Sequence, residues 1–377
     1  MSNNIENEMM INDIYKQFIA NKSASDLHIR TNMVPVMRIN GELKKNTEFG
    51  ELNVTFIKVM IGLMYKDRFG KEAKKMYEDF ILKGKESDFA IDIPDSNYRA
   101  RVNVFKSLGD LGIVMRKIPN DMPKLDDLGI MDEHKRLLRQ YLSYKEGLIL
   151  ITGQTGSGKS TTLAAIINEI NEQYGKHIIT IEDPVEFKHN NKKSMITHRE
   201  VGEESDTASF EKGIRGAVRE DPDIILVGEM RDAETAKAAL SAAQTGHLVF
   251  ATLHTNSAPE TLVRLLDMFP SDNADSIRVS LGQSLRVVMS QKLAPTVDGK
   301  RTLCYEFLYS NNNIKNAIIT DKSFVNTIKE QMNTKFREGM LNMNRCLYER
   351  YNAGLISTDV AYEFSADRAE LKDLIEG

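Results

Sequence analysis

The stretch Gly153-Gln-Thr-Gly-Ser-Gly158-Lys159-Ser160 constrains this chain more than any other part of it. Its spacing, G-x-x-x-x-G-K-[ST], serves one geometry: a strand, a glycine-rich turn and a helix whose N-terminus faces phosphate. Both flanks agree. Leu148-Ile-Leu-Ile151 is a short apolar run suited to a buried parallel strand, and Leu163, Ile166, Ile167 and Ile170 recur at the spacing of a one-faced helix. In such a loop Gly153, Gln154, Thr155, Gly156, Ser157, Gly158, Lys159, Ser160 and Thr161 surround a triphosphate. Lys159 is expected to reach the outer phosphates and the Ser160 hydroxyl to ligate Mg²⁺, so the expected ligands are ATP and Mg²⁺. A glycine-rich surface turn without a ligand would not need these two flanks.

At 377 residues the chain is too long for one ordinary core, and two domains are expected. Hydrophobic residues make up 41% and charged residues 28%, the balance of a globular protein. A formal net charge of −4 argues against direct nucleic-acid binding driven by whole-molecule charge. No apolar run approaches the roughly 18 residues that would span a bilayer. The N-terminus has no basic region ahead of an apolar stretch, so no signal peptide is expected. The only cysteines, Cys304 and Cys346, form no C-x-x-C pair, which excludes a four-cysteine zinc site. These features read as cytoplasmic.

Strand patterns at Asp26–Ile29, Val34–Ile39, Phe89–Ile93, Tyr98–Phe105 and Ile113–Ile118, with a helical pattern over Phe56–Met64, predict an α+β domain at 1–118. Pro119 and Pro123 bracket polar residues, so 119–124 is the expected linker. From Leu125 onward, apolar runs at 148–151, 178–181, 224–227 and 248–251 alternate with helical segments. That alternation predicts βαβ units and a parallel sheet covered on both faces, so the domain at 125–377 is α/β. Beyond Pro270 the pattern turns mostly helical, with one strand-like piece at Leu303–Leu308.

Three clusters of chemistry-bearing residues follow the loop. Asp223-Ile-Ile-Leu-Val-Gly228-Glu229 places an acid after a buried strand, where a carboxylate holds a metal-bound water; Ser160 and Glu229 are the candidate metal residues. Ile181-Glu182-Asp183-Pro-Val-Glu186 bunches three carboxylates after another strand, and spacing does not tell which of them accepts the proton of an attacking water. His247 and His254 flank a fourth strand, and both are candidates for sensing a γ-phosphate. A lone histidine beside a strand is more often structural than catalytic.

In this order the motifs resemble the PilT-type secretion ATPases of type IV pili and of type II and type IV secretion. Ile179–Phe187 matches that family's Asp box, Arg219–Asp232 its Walker B segment, Thr245–Pro270 its His box and Ala24–His28 its N-terminal signature. The resemblance implies a PAS-like N-terminal domain on a RecA-like P-loop ATPase domain with a helical C-terminal extension. It implies a homohexamer docked on an inner-membrane platform protein of a pilus or secretion machine. Carried over, it makes Glu186 the water-activating glutamate, Glu229 the Walker B glutamate, and Arg99, Arg101 and Arg116 the arginine fingers. Arg99 and Arg101 stand two apart and so share one strand face; a solvated face is the plain reading of that spacing.

The leading functional reading is an ATP-hydrolysing motor for pilus retraction and twitching motility. Asn313-Ile-Lys-Asn-Ala-Ile-Ile-Thr320 keeps the apolar spacing of the retraction members' C-terminal motif but lacks its two arginines. Gln291–Arg301 is similar to the type IVB secretion and conjugation branch, which is the alternative. A RecA-like nucleic-acid motor is a third reading, opposed by the acidic net charge.

Overall fold

The computed structural model describes residues 2–96, 98–118, 121–202, 205–321 and 323–377. The expected linker therefore begins outside the described residues, at 119 and 120, and Asn97, between the strand patterns Phe89–Ile93 and Tyr98–Phe105, also lies outside them. Contacts divide the chain into two compact units: Met1–Asp121 with Asp183–Lys188 and Gly202–Glu204, and Met122–Glu182 with His189–Val201 and Ser205–Gly377.

The first unit holds helices α1 (Ser2–Ala20), α2 (Val54–Phe69) and α3 (Ala73–Lys83) and strands β1 (Ala24–Arg30), β2 (Val36–Ile39), β3 (Glu42–Lys45), β4 (Ser87–Asp92), β5 (Arg99–Ser107) and β6 (Asp110–Ile118). The strands form one antiparallel sheet in the order β3-β2-β1-β6-β5-β4. Period-two alternation decides its faces. Ala100, Val102 and Val104 of β5 are buried with Leu27, Ile29 and Met115, in a core shared with Ile14, Phe18, Phe56 and Met60 of the helices. Arg99, Arg101 and Asn103 point the other way, and Arg101 stands directly opposite Arg116 of β6. Helix α1 was not anticipated, although Ile11, Ile14, Tyr15 and Phe18 carry helical spacing and are all buried.

The second unit is built on β7 (Gly147–Thr152), β8 (His177–Glu182), β9 (Met195–Glu200), β10 (Ile224–Val227), β11 (Leu248–Leu253), β12 (Leu285–Pro295) and β13 (Arg301–Tyr309), in the order β13-β12-β7-β11-β10-β8-β9. All pairs are parallel except β12 with β13. Every residue of β7, β10 and β11 is buried, as apolar strands covered on both faces must be. The covering helices are α4 (Asp132–Leu142), α5 (Lys159–Gln173), α6 (Phe210–Ala217), α7 (Ala233–Gln244), α8 (Ala258–Asp267) and α9 (Ala274–Ser284). Side-chain caps from Ser209, Asp232 and Ser257 open α6, α7 and α8 and set where each strand-to-helix loop ends.

The C-terminal part departs from expectation in one respect. Two strands, not one, follow Pro270: β12 and β13 form a hairpin, and β12 joins the central sheet beside β7. Strand β12 starts directly after the helical residue Ser284 with no glycine or proline between them, and its run carries Ser290, Gln291 and Lys292 among apolar residues. Helices α10 (Asn312–Thr320), α11 (Phe324–Thr334), α12 (Met343–Asn352), α13 (Thr358–Phe364) and α14 (Arg368–Glu376) complete the chain. Among the described residues, no helix is long and apolar enough to cross a membrane.

Candidate functional site

The phosphate loop leaves β7 at the switch point of the sheet, where the chain turns toward β8 on one side and later returns to β12 on the other. Its glycines adopt positive φ: 144° at Gly153, 80° at Gly156 and 92° at Gly158. A Cβ on Gly153 would lie 2.4 Å from the Gln291 carbonyl oxygen and 2.4 Å from Ser157 Oγ, so only glycine fits there. Helix α5 begins at Lys159 with no side-chain cap. Lys159 Nζ donates to the carbonyls of Gly153 (2.7 Å) and Gln154 (3.1 Å). Ser157 Oγ is buried without a hydrogen-bond partner, while Ser160 and Thr161 are half-buried in the first turn of α5. An uncapped helix start, an unpartnered buried hydroxyl and a cradle no side chain could fill are what phosphate oxygens require.

Glu229 lies two residues past the end of β10. Its Oε2 is 2.7 Å from an Arg231 guanidinium nitrogen and its Oε1 is 3.1 Å from His254 Nε2. Burial pushes its carboxyl up, but Arg231, His254 and Lys159 together hold it below the usual carboxylate range. Glu229 is therefore ionised, beside the loop lysine. The strand ends around it are stitched together: Gly228 N–H donates to the Ile181 carbonyl, Met230 N–H to that of Thr252, and the Thr252 hydroxyl to that of Gly228.

Glu182 ends β8, 3.8 Å from His198 Nδ1. The His189 backbone N–H donates to His198 Nε2, so Nδ1 carries the proton and donates to Thr180 Oγ1 at 2.8 Å. His247 and His254 are separated by the whole of β11. His254 stands at the loop-bearing end of the sheet. His247 stands at the opposite end, with Nδ1 3.1 Å from the Ala242 carbonyl that closes α7.

The three carboxylates after β8 divide between the units: Glu182 stays with the parallel sheet, whereas Asp183 and Glu186 group with the first unit. There Arg99 donates to the Val185 carbonyl at 3.1 Å and lies 3.0 Å from Asp92. Arg101 grips both carboxylate oxygens of Asp88, a hydrogen-bonded pairing that raises its pKa, with Glu186 and Asp183 adding to the rise. Arg116 Nε is 2.8 Å from the buried carboxylate of Asp26. Each of the three arginines is thus paired with a carboxylate of its own sheet. Sequence reasoning missed Arg231, whose spacing two residues from Glu229 was the available signal, and Gln291, whose strand was not anticipated. Gln291 Nε2 donates to Thr162 Oγ1 of α5 at 2.8 Å.

A phosphate loop at the switch point of a parallel sheet, with an ionised carboxylate and a histidine past the next two strand ends, defines the class of P-loop nucleotide-binding proteins. Within that class, the chain belongs to the type II/IV secretion system protein family, whose model matches residues 5–349. It is 40% identical over 348 residues to the type IV pilus retraction ATPase PilT of Pseudomonas aeruginosa, covering 92% of this chain and 95% of that protein. A crystal structure of the pilus retraction motor PilT with bound ADP superposes with a TM-score of 0.83 at 40% identity, covering 96% and 99% of the two chains. The ATPase DotB of Legionella pneumophila superposes with a TM-score of 0.78 at 30% identity, covering 94% of each chain.

Proposed function

We propose that this chain is the ATP-hydrolysing subunit of a hexameric motor that retracts a type IV pilus. The observation that carries the reading is similarity along nearly the whole chain to a retraction ATPase, covering 92% of this chain and 95% of that one. The loop residues Gly153–Thr161 hold the phosphates, with Lys159 on the outer ones. The Ser160 hydroxyl and the Glu229 carboxylate are hard oxygen donors suited to Mg²⁺, which when bound neutralises charge on the phosphates. Glu186 accepts the proton of the attacking water, and His254, in contact with Glu229, senses the γ-phosphate. Arg99, Arg101 and Arg116 neutralise charge on the transferring group. His247, at the far end of its strand, holds α7 instead.

Residues 119–124 join the two domains. The motor works in the cytoplasm, docked on a membrane platform protein and without direct nucleic-acid contact. The test is genetic and enzymatic together. Loss of this protein should leave cells piliated but unable to retract, and wild-type but not Lys159→Ala protein should restore retraction and release phosphate from Mg-ATP. Normal retraction in the deletion strain would sink the reading.

A second reading, a type IVB secretion or conjugation ATPase, is favoured by the similarity to DotB at 30% identity over 94% of each chain. Helix α10 also carries Asn313–Thr320 without the two arginines of the retraction motif. Loss of substrate transfer with retraction intact in the deletion strain would select it.

A further inference from the structure

Three threonine hydroxyls meet in the interior of the parallel-sheet unit. Thr152, Thr255 and Thr261 are 0%, 2% and 0% exposed. Thr261 Oγ1 lies 3.2 Å from Thr152 Oγ1, 2.7 Å from Thr255 Oγ1 and 2.8 Å from the Ser257 carbonyl oxygen. A hydroxyl has one proton to donate and two lone pairs to accept with. The Ser257 carbonyl only accepts, so the Thr261 proton goes there. Thr152 and Thr255 must then both donate to Thr261. This arrangement satisfies all three buried hydroxyls, and the Thr261 oxygen is its centre.

The positions of the partners give the cluster its significance. Thr152 is the last residue of β7 and is followed at once by Gly153 of the phosphate loop. Thr255 follows His254, and Thr261 lies one turn into α8. The same two loops are tied a second time, at the surface, by Gln154 Nε2 donating to Asn256 Oδ1 at 3.0 Å. The chain ahead of α8 is held as well: Asn256 N–H donates to Glu260 Oε2, and Ala258 N–H to the buried Glu306 carboxylate. The Thr261 oxygen is therefore the buried tie between the loop that carries Lys159 and the loop that carries His254, beside the Gly153 N–H bond to the Leu253 carbonyl and the Gln154–Asn256 bond.

We infer that Thr261 is a positioning residue for nucleotide hydrolysis. It touches no reacting atom; it locks the phosphate loop and the histidine loop into one register, so that His254 and Glu229 stand in place when the outer phosphate occupies the loop. The inference rests on the ATPase reading above and adds a residue to it. Thr261→Val keeps the shape and leaves the Thr152 and Thr255 hydroxyls with no acceptor, whereas Thr261→Ser keeps the oxygen and loses only a methyl group. A misplacement on the ångström scale reduces rate about 10- to 100-fold.

The experiment compares wild type, Thr261→Val and Thr261→Ser for steady-state hydrolysis of Mg-ATP and for amide hydrogen exchange without nucleotide. Thr261→Val should lower kcat about tenfold or more with KM within about threefold, and Thr261→Ser should regain most of it. In Thr261→Val, exchange should quicken together in 153–157 and 254–257. Wild-type kcat in Thr261→Val, or equal loss in Thr261→Ser, overturns the inference while leaving the ATPase reading intact. Exchange that quickens in α8 alone overturns it even if no hydrolysis is measurable in wild type, and that absence of turnover would separately refute the ATPase reading. Should Thr261→Val not fold, Thr255→Val, which removes one donor and leaves Thr261 satisfied, must quicken exchange in 153–157 for the inference to stand.

Discussion

Glu229 and His254 come from the ends of adjacent parallel strands and meet with Oε1 and Nε2 3.1 Å apart. Strand register makes the meeting unavoidable: Val227 of β10 pairs with Ala251 of β11, so two and three residues further on both side chains reach the same edge of the sheet. Arg231 takes the other carboxylate oxygen. The carboxylate is thereby aimed as well as ionised, whereas an acid at a free strand end would be ionised but not aimed.

Glu229→Gln keeps the shape and removes the charge. Turnover should fall about 10²- to 10³-fold, the scale for losing one electrostatic stabiliser. Stability at neutral pH should change by less than about 1 kcal/mol, because Arg231 is largely exposed and the pair is screened. The sign of the pH effect follows from the depressed carboxyl. Its contribution is present above the unfolded pKa and is lost as pH falls through the folded one, so only wild type should lose that increment on acidification. Thermal melting of both proteins from pH 7 down to pH 3 measures it, and parallel melting curves would contradict the assignment.

Lys159→Ala should abolish phosphate release while leaving the fold intact. The side chain is half-buried and lies over loop carbonyls, so its removal takes away little packing but much charge at the phosphate position. Circular dichroism and melting temperature should match wild type. A well-folded variant with wild-type turnover would move the active site elsewhere.

Parts of this fold and site were legible for local reasons. The loop glycines are dictated by backbone conformation and close approach, as at Gly153, and such constraints leave a spacing that can be read. Strands β7, β10 and β11 are buried on both faces and therefore read as unbroken apolar runs. Strand β12 interleaves Ser290 and Gln291 with apolar residues, and Gln291 serves Thr162 of α5, so its pattern was read with the mostly helical part of the chain. Strand β9, Met195–Glu200, is a polar edge strand with only Ile196 and Glu200 buried. His247 and His254 looked alike because local sequence does not say which end of a strand bears the loop; the parallel pairing of β11 with β7 does. Thr261 was invisible for another reason, since its partner Thr152 is 109 positions away.

Glu306 carries a pH dependence of the opposite sign. It is 8% exposed, and its carboxylate accepts from the backbone N–H groups of Ala258 and Met343, the first residues of α8 and α12. Burial pushes its pKa up to about 7, against the pull of those two helix N-termini, Lys292 and Lys329. Between the unfolded value of about 4.3 and the folded one, the native state holds more protons than the unfolded state. Stability from this group is therefore complete below about pH 4 and is lost as pH rises through about 7. Glu306→Gln does not titrate. Relative to wild type it should gain on the order of 3 kcal/mol between pH 4 and pH 8, at 1.36 kcal/mol per unit. Urea denaturation at both pH values checks this, and a constant difference between the two proteins would show that the side chain stays in one protonation state.

Arg101 and Glu186 belong to one compact unit, and the Glu186 charge acts on the Arg101 guanidinium. If both serve the same nucleotide, they do so as a pair carried together. Arg101→Ala leaves Asp88 unpaired, but that carboxylate is 40% exposed, so stability should fall by no more than about 1 kcal/mol. Turnover should fall far more than ATP binding, because charge on the transferring group is greatest in the transition state. Glu186→Gln should likewise bind Mg-ATP and hydrolyse it about 10²- to 10⁴-fold more slowly, the scale for removing one positioned base. In a ring, hydrolysis per wild-type subunit should rise steeply with protein concentration as hexamers assemble. Mixing Arg101→Ala with Glu186→Gln subunits should give no recovery, since every unit in the mixed ring lacks one member of the pair. Phosphate release is measured on rings shown by mass to contain both subunits. Recovery toward wild-type turnover would mean that the arginine and the glutamate serve different nucleotides, and the two residues would then have to be assigned to separate sites.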